Sequence, residues 1–416
     1  MIFGICLNVL IYEHACGGGF AEGVVSPGIL AEGFGMLRSC VADLKMAGHN
    51  VSVILDEELS LLNPPIEADY VLPIFNFKDA QQAMLKTCVD VDAVYVIAPE
   101  TGGILQTLVK FIEQQGVPLL NSRPNAIQAV SDKTNLYETL KAKGLRTPKT
   151  IQVSVTQYRE GLFMDTFGFP VVFKPVDGVG CSGLSVVNDT SQVEGAVKKI
   201  VAELGSEVFM VQEYLAGESV SVSLLCTDNN AVAVSLNKQN IILSSPDNAS
   251  SYVGGAVPFY SEIKQEVFRT AETVVNCFPG LKGYVGVDMI LTSTGPVVVD
   301  VNPRLTTSCI GLSRIADFNL TNAIVDATLK NVLPSKTTLL GYACFSKIET
   351  PKTDIDVLDK LCKISEVISP PFPIQDSRTG CTLLSAEGIF SEEAYCRLEE
   401  AKRQVLDMYS GVKSVG

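Results

Sequence analysis

Residues 286–304, Gly-Val-Asp-Met-Ile-Leu-Thr-Ser-Thr-Gly-Pro-Val-Val-Val-Asp-Val-Asn-Pro-Arg, narrow the fold of this chain more than any other stretch. Two aliphatic, β-branched runs, Val287–Leu291 and Val297–Val301, flank a Ser-Thr-Gly turn and predict a β-hairpin. Pairing Thr292 with Pro296 across a three-residue loop sets Asp288 opposite Asp300, and side-chain alternation puts Asn302 on the same face. Two facing carboxylates cost a hairpin up to ~1 kcal/mol unless a cation lies between them. A hard divalent ion with oxygen ligands fits that need, and Arg304 can face the same anion. The plain alternative is a solvated acidic face.

Composition removes several function classes. The chain has 416 residues, 47% hydrophobic and 19% charged, enough for several domains with sizeable cores. A net charge of −14 opposes a nucleic-acid partner. No apolar run reaches the ~18 residues of a membrane span. The start, Met1–Tyr12, lacks the basic region of a signal peptide and is expected to form a buried strand over Phe3–Tyr12. Twelve cysteines show no CxxC pair, which suits a reducing cytoplasm. With two histidines, His14 and His49, a His-ligated zinc or iron site is not expected; His49 reads as a loop residue.

The first third alternates strands (Val51–Leu55, Val71–Phe75, Ala93–Ala98) with helical patterns such as Ile29–Ala47, predicting a mostly parallel, doubly wound sheet. Ligands of such sheets sit beyond the carboxyl ends of the strands. Glu13-His-Ala-Cys-Gly-Gly-Gly and Pro99-Glu100-Thr-Gly-Gly lie there. Farther on, Ser131-Asp-Lys133 opens a helix, and strand Phe169–Lys174 precedes the glycine-rich turn Asp177–Gly183. Backbone N–H groups in such a turn can fold over phosphates. The turn is neither a P-loop nor a GxGxxG motif. After a helix at Val193–Leu204, strand Val208–Glu213 runs into a connector with Glu213 and Glu218, suited to an adenine edge and ribose hydroxyls. Ala231–Leu236 reads as a strand, Tyr252–Pro258 as a loop and Glu262–Cys277 as a helix.

In this order, Lys133, Lys174, the glycine turn, Gln-Glu-Tyr-Leu at 212–215 and the Asp…Asp-x-Asn-Pro-Arg hairpin resemble the ATP-grasp superfamily over about residues 90–330. Tyr12–Gly19, Glu100-Thr-Gly-Gly, Asn237-Lys-Gln239 and Asn302–Ser308 are similar to the archaeal tyramine–L-glutamate ligases of methanofuran biosynthesis and their relatives. The resemblance implies an ATP-grasp fold: a doubly wound parallel pre-ATP-grasp domain (1–120), a small α+β subdomain with the glycine lid (121–190), a large subdomain with the metal hairpin (191–335) and a small α+β appendage (336–416).

It also implies roles. Lys133 and Lys174 would contact nucleotide phosphates, under a lid of Gly178, Gly180, Ser182 and Gly183. Gln212, Glu213, Tyr214 and Leu215 would meet adenine, with Glu218 near ribose. Asp288, Asp300 and Asn302 would ligate one or two Mg²⁺ (or Mn²⁺) ions, and Arg304, with Lys174, would stabilise the transferring phosphoryl group. Asp300 stands where many members carry Glu, so the metal count stays open. Arg304 and the Thr306-Thr307-Ser308 hydroxyls are candidates for glutamate's acidic groups, with helix capping as the alternative for the hydroxyls, and Lys238 is a further candidate for the substrate site. Glu100 or Glu13 is the candidate for the amine's ammonium. The implied reaction is ATP-dependent amide formation through an acyl phosphate on small-molecule substrates, without nucleic acid or membrane and compatible with a homodimer. Other readings are an ATP-grasp carboxylase, a pyrrolysine-type lysine ligase and a nucleotide-binding regulator without turnover.

Overall fold

The computed structural model describes residues 6–19, 26–159, 167–178, 180–351, 353, 355–372 and 379–410. The first sheet is parallel, in the order β3-β2-β1-β4: β1 (Asn8–Glu13), β2 (Asn50–Asp56), β3 (Tyr70–Ile74) and β4 (Ala93–Ile97). The expected strand from Phe3 begins at Asn8; residues 3–5 lie outside the described ones. Val9 and Ile11 pack towards Phe34 and Leu37 of the Pro27–Met46 helix. Leu10 and Tyr12 pack towards Leu105, Leu108 and Ile112 of the Ile104–Glu113 helix. Burial on both faces explains why these strands read as unbroken apolar runs. The strand order reverses between β1 and β4, so Glu13 and Glu100 flank the crevice where such sheets bind ligands.

The second sheet is antiparallel, in the order β5-β8-β6-β7: β5 (Thr150–Ser154), β6 (Val171–Pro175), β7 (Ser185–Val187) and β8 (Val208–Glu213). Helix Val193–Leu204 buries Val193, Ala196, Val197 and Ile200 in the core containing Phe173 and Phe209, whose rings stack at 5.5 Å. This helix and β8 belong to the small sheet, which therefore runs past the boundary expected at 190/191.

The third sheet is antiparallel, in the order β13-β12-β9-β10-β11-β14-β15. Its strands are β9 (Glu218–Cys226), β10 (Ala231–Ile242), β11 (Ser251–Val257), β12 (Gly283–Thr292), β13 (Gly295–Asn302), β14 (Tyr342–Pro351) and β15 (Thr379–Gly388). Two expectations change here. The segment read as a Tyr252–Pro258 loop is largely strand β11, and β11 pairs with β14, so β14 and β15 extend the large sheet instead of forming a separate appendage. Glycines disguised that strand. A Cβ on Gly254 (φ 141°) would lie 2.1 Å from the Phe345 carbonyl oxygen, and one on Gly255 2.3 Å from that of Lys238. His49, expected in a loop, lies there but is buried, accepting from the Leu7 N–H (3.1 Å) and bonding Asn322 (2.9 Å).

The hairpin itself departs twice from expectation, and the departures cancel. Thr292 pairs with Gly295 across Ser293-Thr294, one residue shorter than expected, and a bulge at Val299 restores the register. Asp288 still pairs with Asp300.

Replacing Gly254 with Ala is expected to lower unfolding free energy by roughly 2–3 kcal/mol, because backbone on the neighbouring strand must move. Urea unfolding of the full chain measures this. A variant as stable as the parent would contradict the close approach of β11 and β14.

Candidate functional site

The three sheets meet around a cavity of about 330 Å³. Glu13 and Glu100 form one wall, Lys133 and Lys174 another, and Asp288, Asp300, Asn302 and Arg304 a third. Gly178, Gly180 and Ser182 close over it, and Thr306–Ser308 and Glu32 line the remaining side.

The facing carboxylates are each held. Asp288 accepts from Gln239 Nε2 and Asn302 Nδ2, both at 3.0 Å. Asp300 pairs with the Lys133 ammonium and accepts from the Val301 N–H at 2.7 Å. Burial, then the neighbouring Asp300, pushes the Asp288 carboxyl up to about 7. Burial opposes the charge on Lys133, but Asp300 outweighs it and raises its pKa. Lys133 starts its helix, and Asp132 caps it by accepting from the Asn135 N–H.

Tyr137, one turn along that helix, is a residue that sequence reasoning missed. Its hydroxyl accepts from Lys174 Nζ (2.7 Å) and Gln212 Nε2 (3.2 Å) and donates to the Val299 carbonyl (2.9 Å). One phenol thus ties the lysine of β6 to the bulge that sets the carboxylate register. Nothing in the sequence marks Tyr137, because its partners lie 37, 75 and 162 residues away.

The glycine turn lies down over the cavity. Gly180, Cys181 and Gly183 take positive φ. The Gly102 N–H donates to Asp177 (2.5 Å), fastening the turn to the loop after β4. Ser182 and the Gly183 N–H both donate to Glu203 (3.0 and 2.7 Å), so the serine hydroxyl turns towards the Val193–Leu204 helix.

Gly183, Gln212, Glu213, Tyr214, Leu215, Glu218 and Lys238 are not among the cavity's lining residues. Gln212 is buried against Thr150 and Tyr137, and Glu213 accepts from the Lys149 N–H (3.0 Å). Tyr214 is exposed and Leu215 half-buried. Lys238, a candidate for the substrate site, pairs with Glu218 and lies over the Phe259 ring.

Of the two acids expected to meet an ammonium, Glu100 keeps one buried oxygen, Oε1, without a hydrogen bond. Glu100 is gripped by Arg304 through Nε and Nη2 (3.2 and 3.1 Å), and this pairing keeps Arg304 charged against the cost of burial. Glu13 accepts from the Cys16 N–H (2.7 Å), and burial raises its carboxyl pKa. The hydroxyls do not cap their helix, since the N-cap Thr307 makes no side-chain capping bond. Thr306 bonds Ser308 (2.8 Å) and Tyr284 (2.9 Å), while Thr307 donates to Glu32 (2.7 Å). Glu32, unremarked in the sequence, also pairs with Lys347 of β14 at 2.5 Å.

Among the described residues, no group of three or more His, Cys, Asp or Glu side chains could hold a metal. The hairpin offers two carboxylates and an amide, all with oxygen donors. Such a set suits Mg²⁺, which completes its shell with phosphate oxygens and water, and a buried carboxyl pair gains from a cation between its members.

Two outcomes follow from this geometry. Below pH 7 the folded Asp288 is protonated, whereas an unfolded aspartate is charged above about 3.8. In metal-free protein its stabilising share is therefore complete below pH 3.8 and lost as pH rises through about 7. A Mg²⁺ ion held by Asp288 would have to displace that proton, so its apparent affinity should weaken from pH 8 to pH 6, with proton uptake by buffer in titration calorimetry. A flat affinity would contradict the shifted carboxyl. Tyr137→Phe should stay folded but weaken Mg-ATP binding by about five- to tenfold as Lys174 loses its anchor; unchanged binding would show that the phenol does not position the lysine.

Comparison with known proteins agrees with this arrangement. Models of the pre-ATP-grasp domain and the ATP-grasp domain match residues 49–127 and 130–308. The chain is 30% identical to the tyramine–L-glutamate ligase of Methanocaldococcus fervens over 313 residues, covering 73% of this chain and 89% of that one. It is 29% identical to that of Methanocaldococcus jannaschii, covering 73% and 84%. A crystal structure of a putative ATP-grasp superfamily protein from Archaeoglobus fulgidus superposes with a TM-score of 0.62 at 22% identity, covering 91% of this chain and 99% of that one. The chain belongs to the ATP-grasp family.

Proposed function

We propose that this ATP-dependent carbon–nitrogen ligase joins L-glutamate to tyramine, giving γ-glutamyltyramine with release of ADP and phosphate, as a step of methanofuran biosynthesis. The observation that carries the reading is one cavity in which two lysines, an opposed carboxylate pair and a buried arginine adjoin a run of hydroxyls. The names of the two relatives support the substrates.

In this reading Lys133 and Lys174 hold the nucleotide phosphates beneath the glycine turn, and Glu213 to Glu218 lie along the adenosine. Asp288, Asp300 and Asn302 hold Mg²⁺, which when bound neutralises phosphate charge. ATP transfers its γ-phosphoryl group to the substrate carboxylate, the amine displaces phosphate from the acyl phosphate, and the amine's surplus proton leaves. Arg304, fixed by Glu100, stabilises the negative charge that develops on the transferred group. Closure of the glycine turn keeps water from the acyl phosphate. One or two metal ions and a homodimer belong to the same proposal. So does a cytoplasmic setting, where the twelve unpaired cysteines would stay reduced.

ADP release across a panel of amino acids and amines, with mass detection of the product, tests the substrates. Glutamate plus tyramine should give the adduct. If another pair is joined and this one is not, the assignment fails. Asp300→Ala should lower turnover at least a hundredfold; full activity would remove the metal role.

A further inference from the structure

Glu32 faces the cavity from the Pro27–Met46 helix, and the sequence pattern gave it no role. Beside it, a Cβ on Gly33 would lie 2.7 Å from the Glu13 carboxyl, so glycine there leaves the Glu13 side chain its place in the cavity wall. Lys347 Nζ holds one carboxylate oxygen at 2.5 Å and Thr307 Oγ1 donates to the other at 2.7 Å. The side chains of Glu32 and Lys347 are 17% and 15% exposed. A buried ion pair of this kind adds little to stability, because desolvation offsets the attraction. A carboxylate accepts at about four lone-pair sites, so each oxygen retains one after these contacts.

The surroundings define the ligand. Among the acids of the cavity, Glu100 accepts from Arg304 through Oε2 and leaves Oε1 without a hydrogen bond, Glu13 accepts from the Cys16 N–H, and Asp288 and Asp300 belong to the hairpin network; Glu32 is the acid bonded directly to the Thr306–Ser308 run. Glu32 adjoins the Thr306–Ser308 hydroxyls through Thr307 and is close enough to Arg304 to favour its charge. An ammonium beside Glu32 therefore belongs to a molecule whose acidic groups lie near Arg304 and those hydroxyls. We infer that Glu32, steadied by Lys347 of β14 and by Thr307, receives the α-ammonium of the amino-acid substrate and sets the preference for α-amino acids over plain carboxylic acids. This rests on the ligase reading above and adds to it a specificity-determining residue and a role for the C-terminal strands.

The test compares an amino acid with its analogue lacking the amino group, glutamate against glutarate, for wild type and Glu32→Gln. The amide keeps the size and one acceptor but loses the charge. Wild type should prefer glutamate. Glu32→Gln should raise KM for glutamate at least tenfold, leave KM for glutarate within about twofold, and keep the wild-type KM for ATP. A variant that retains the preference overturns the inference. So does one in which KM for ATP and for both acids rise together, since that marks a structural role. If the panel above identifies a different amino acid, the same comparison is made with that acid and its desamino analogue, so failure of the glutamate assignment is distinguishable from failure of Glu32. Lys347→Met provides a second reading: it should weaken glutamate more than glutarate, and equal effects on both would count against the inference.

Discussion

Two carboxylates on adjacent strands, Asp288 and Asp300, set the electrostatic problem that the surrounding structure answers. Left alone they would repel, and burial sharpens the repulsion by removing water. The answer is distributed over the fold: Lys133 comes from the helix that leads into the small sheet, Gln239 from β10 and Asn302 from the hairpin's own end. None of these residues is near the others in sequence. The acidic pair thus draws elements of both antiparallel sheets to one point, and a divalent ion would complete the neutralisation they begin.

Register is the second requirement. Side chains alternate along a strand, so a slip of one residue at the hairpin would turn one of the carboxylates to the opposite face. The short turn introduces that slip and the bulge at Val299 removes it. The carbonyl of the bulged residue then accepts from Tyr137, whose hydroxyl also holds Lys174. A local irregularity in β13 is in this way the contact that connects Lys174 of β6 to the hairpin of facing aspartates.

What the sequence made legible follows from the range of the interactions concerned. Alternating apolar strands and helices depend on near neighbours, so the parallel sheet and the facing aspartates could be read directly. The bulge could not, because it conserves the pairing at Asp288 that the simpler turn also predicts. Strand β11 was hidden by Gly254 and Gly255, which local propensity assigns to a loop, although the close approach of Phe345 and Lys238 requires them. The place of the C-terminal strands was hidden with it, since their link to the large sheet runs through β11. Tyr137 and Glu32 escaped notice for a related reason: each acquires its role from partners more than 35 residues distant, on elements whose packing no periodicity records.

The C-terminal strands show why that matters for chemistry. A segment outside the ATP-grasp model's match, which ends at residue 308, supplies Lys347, and Lys347 fixes Glu32 in the cavity wall. The lysines and the carboxylate pair come from the central part of the chain, whereas Glu32 and Lys347 come from the first helix and β14. Phosphate and metal chemistry needs the same groups whatever acid is activated; choice among acids needs groups that can differ. On the proposed reading, placing those groups on the first helix and on an added strand separates the two demands, so a change at Glu32 and Lys347 would alter substrate preference without disturbing the hairpin assigned to phosphoryl transfer.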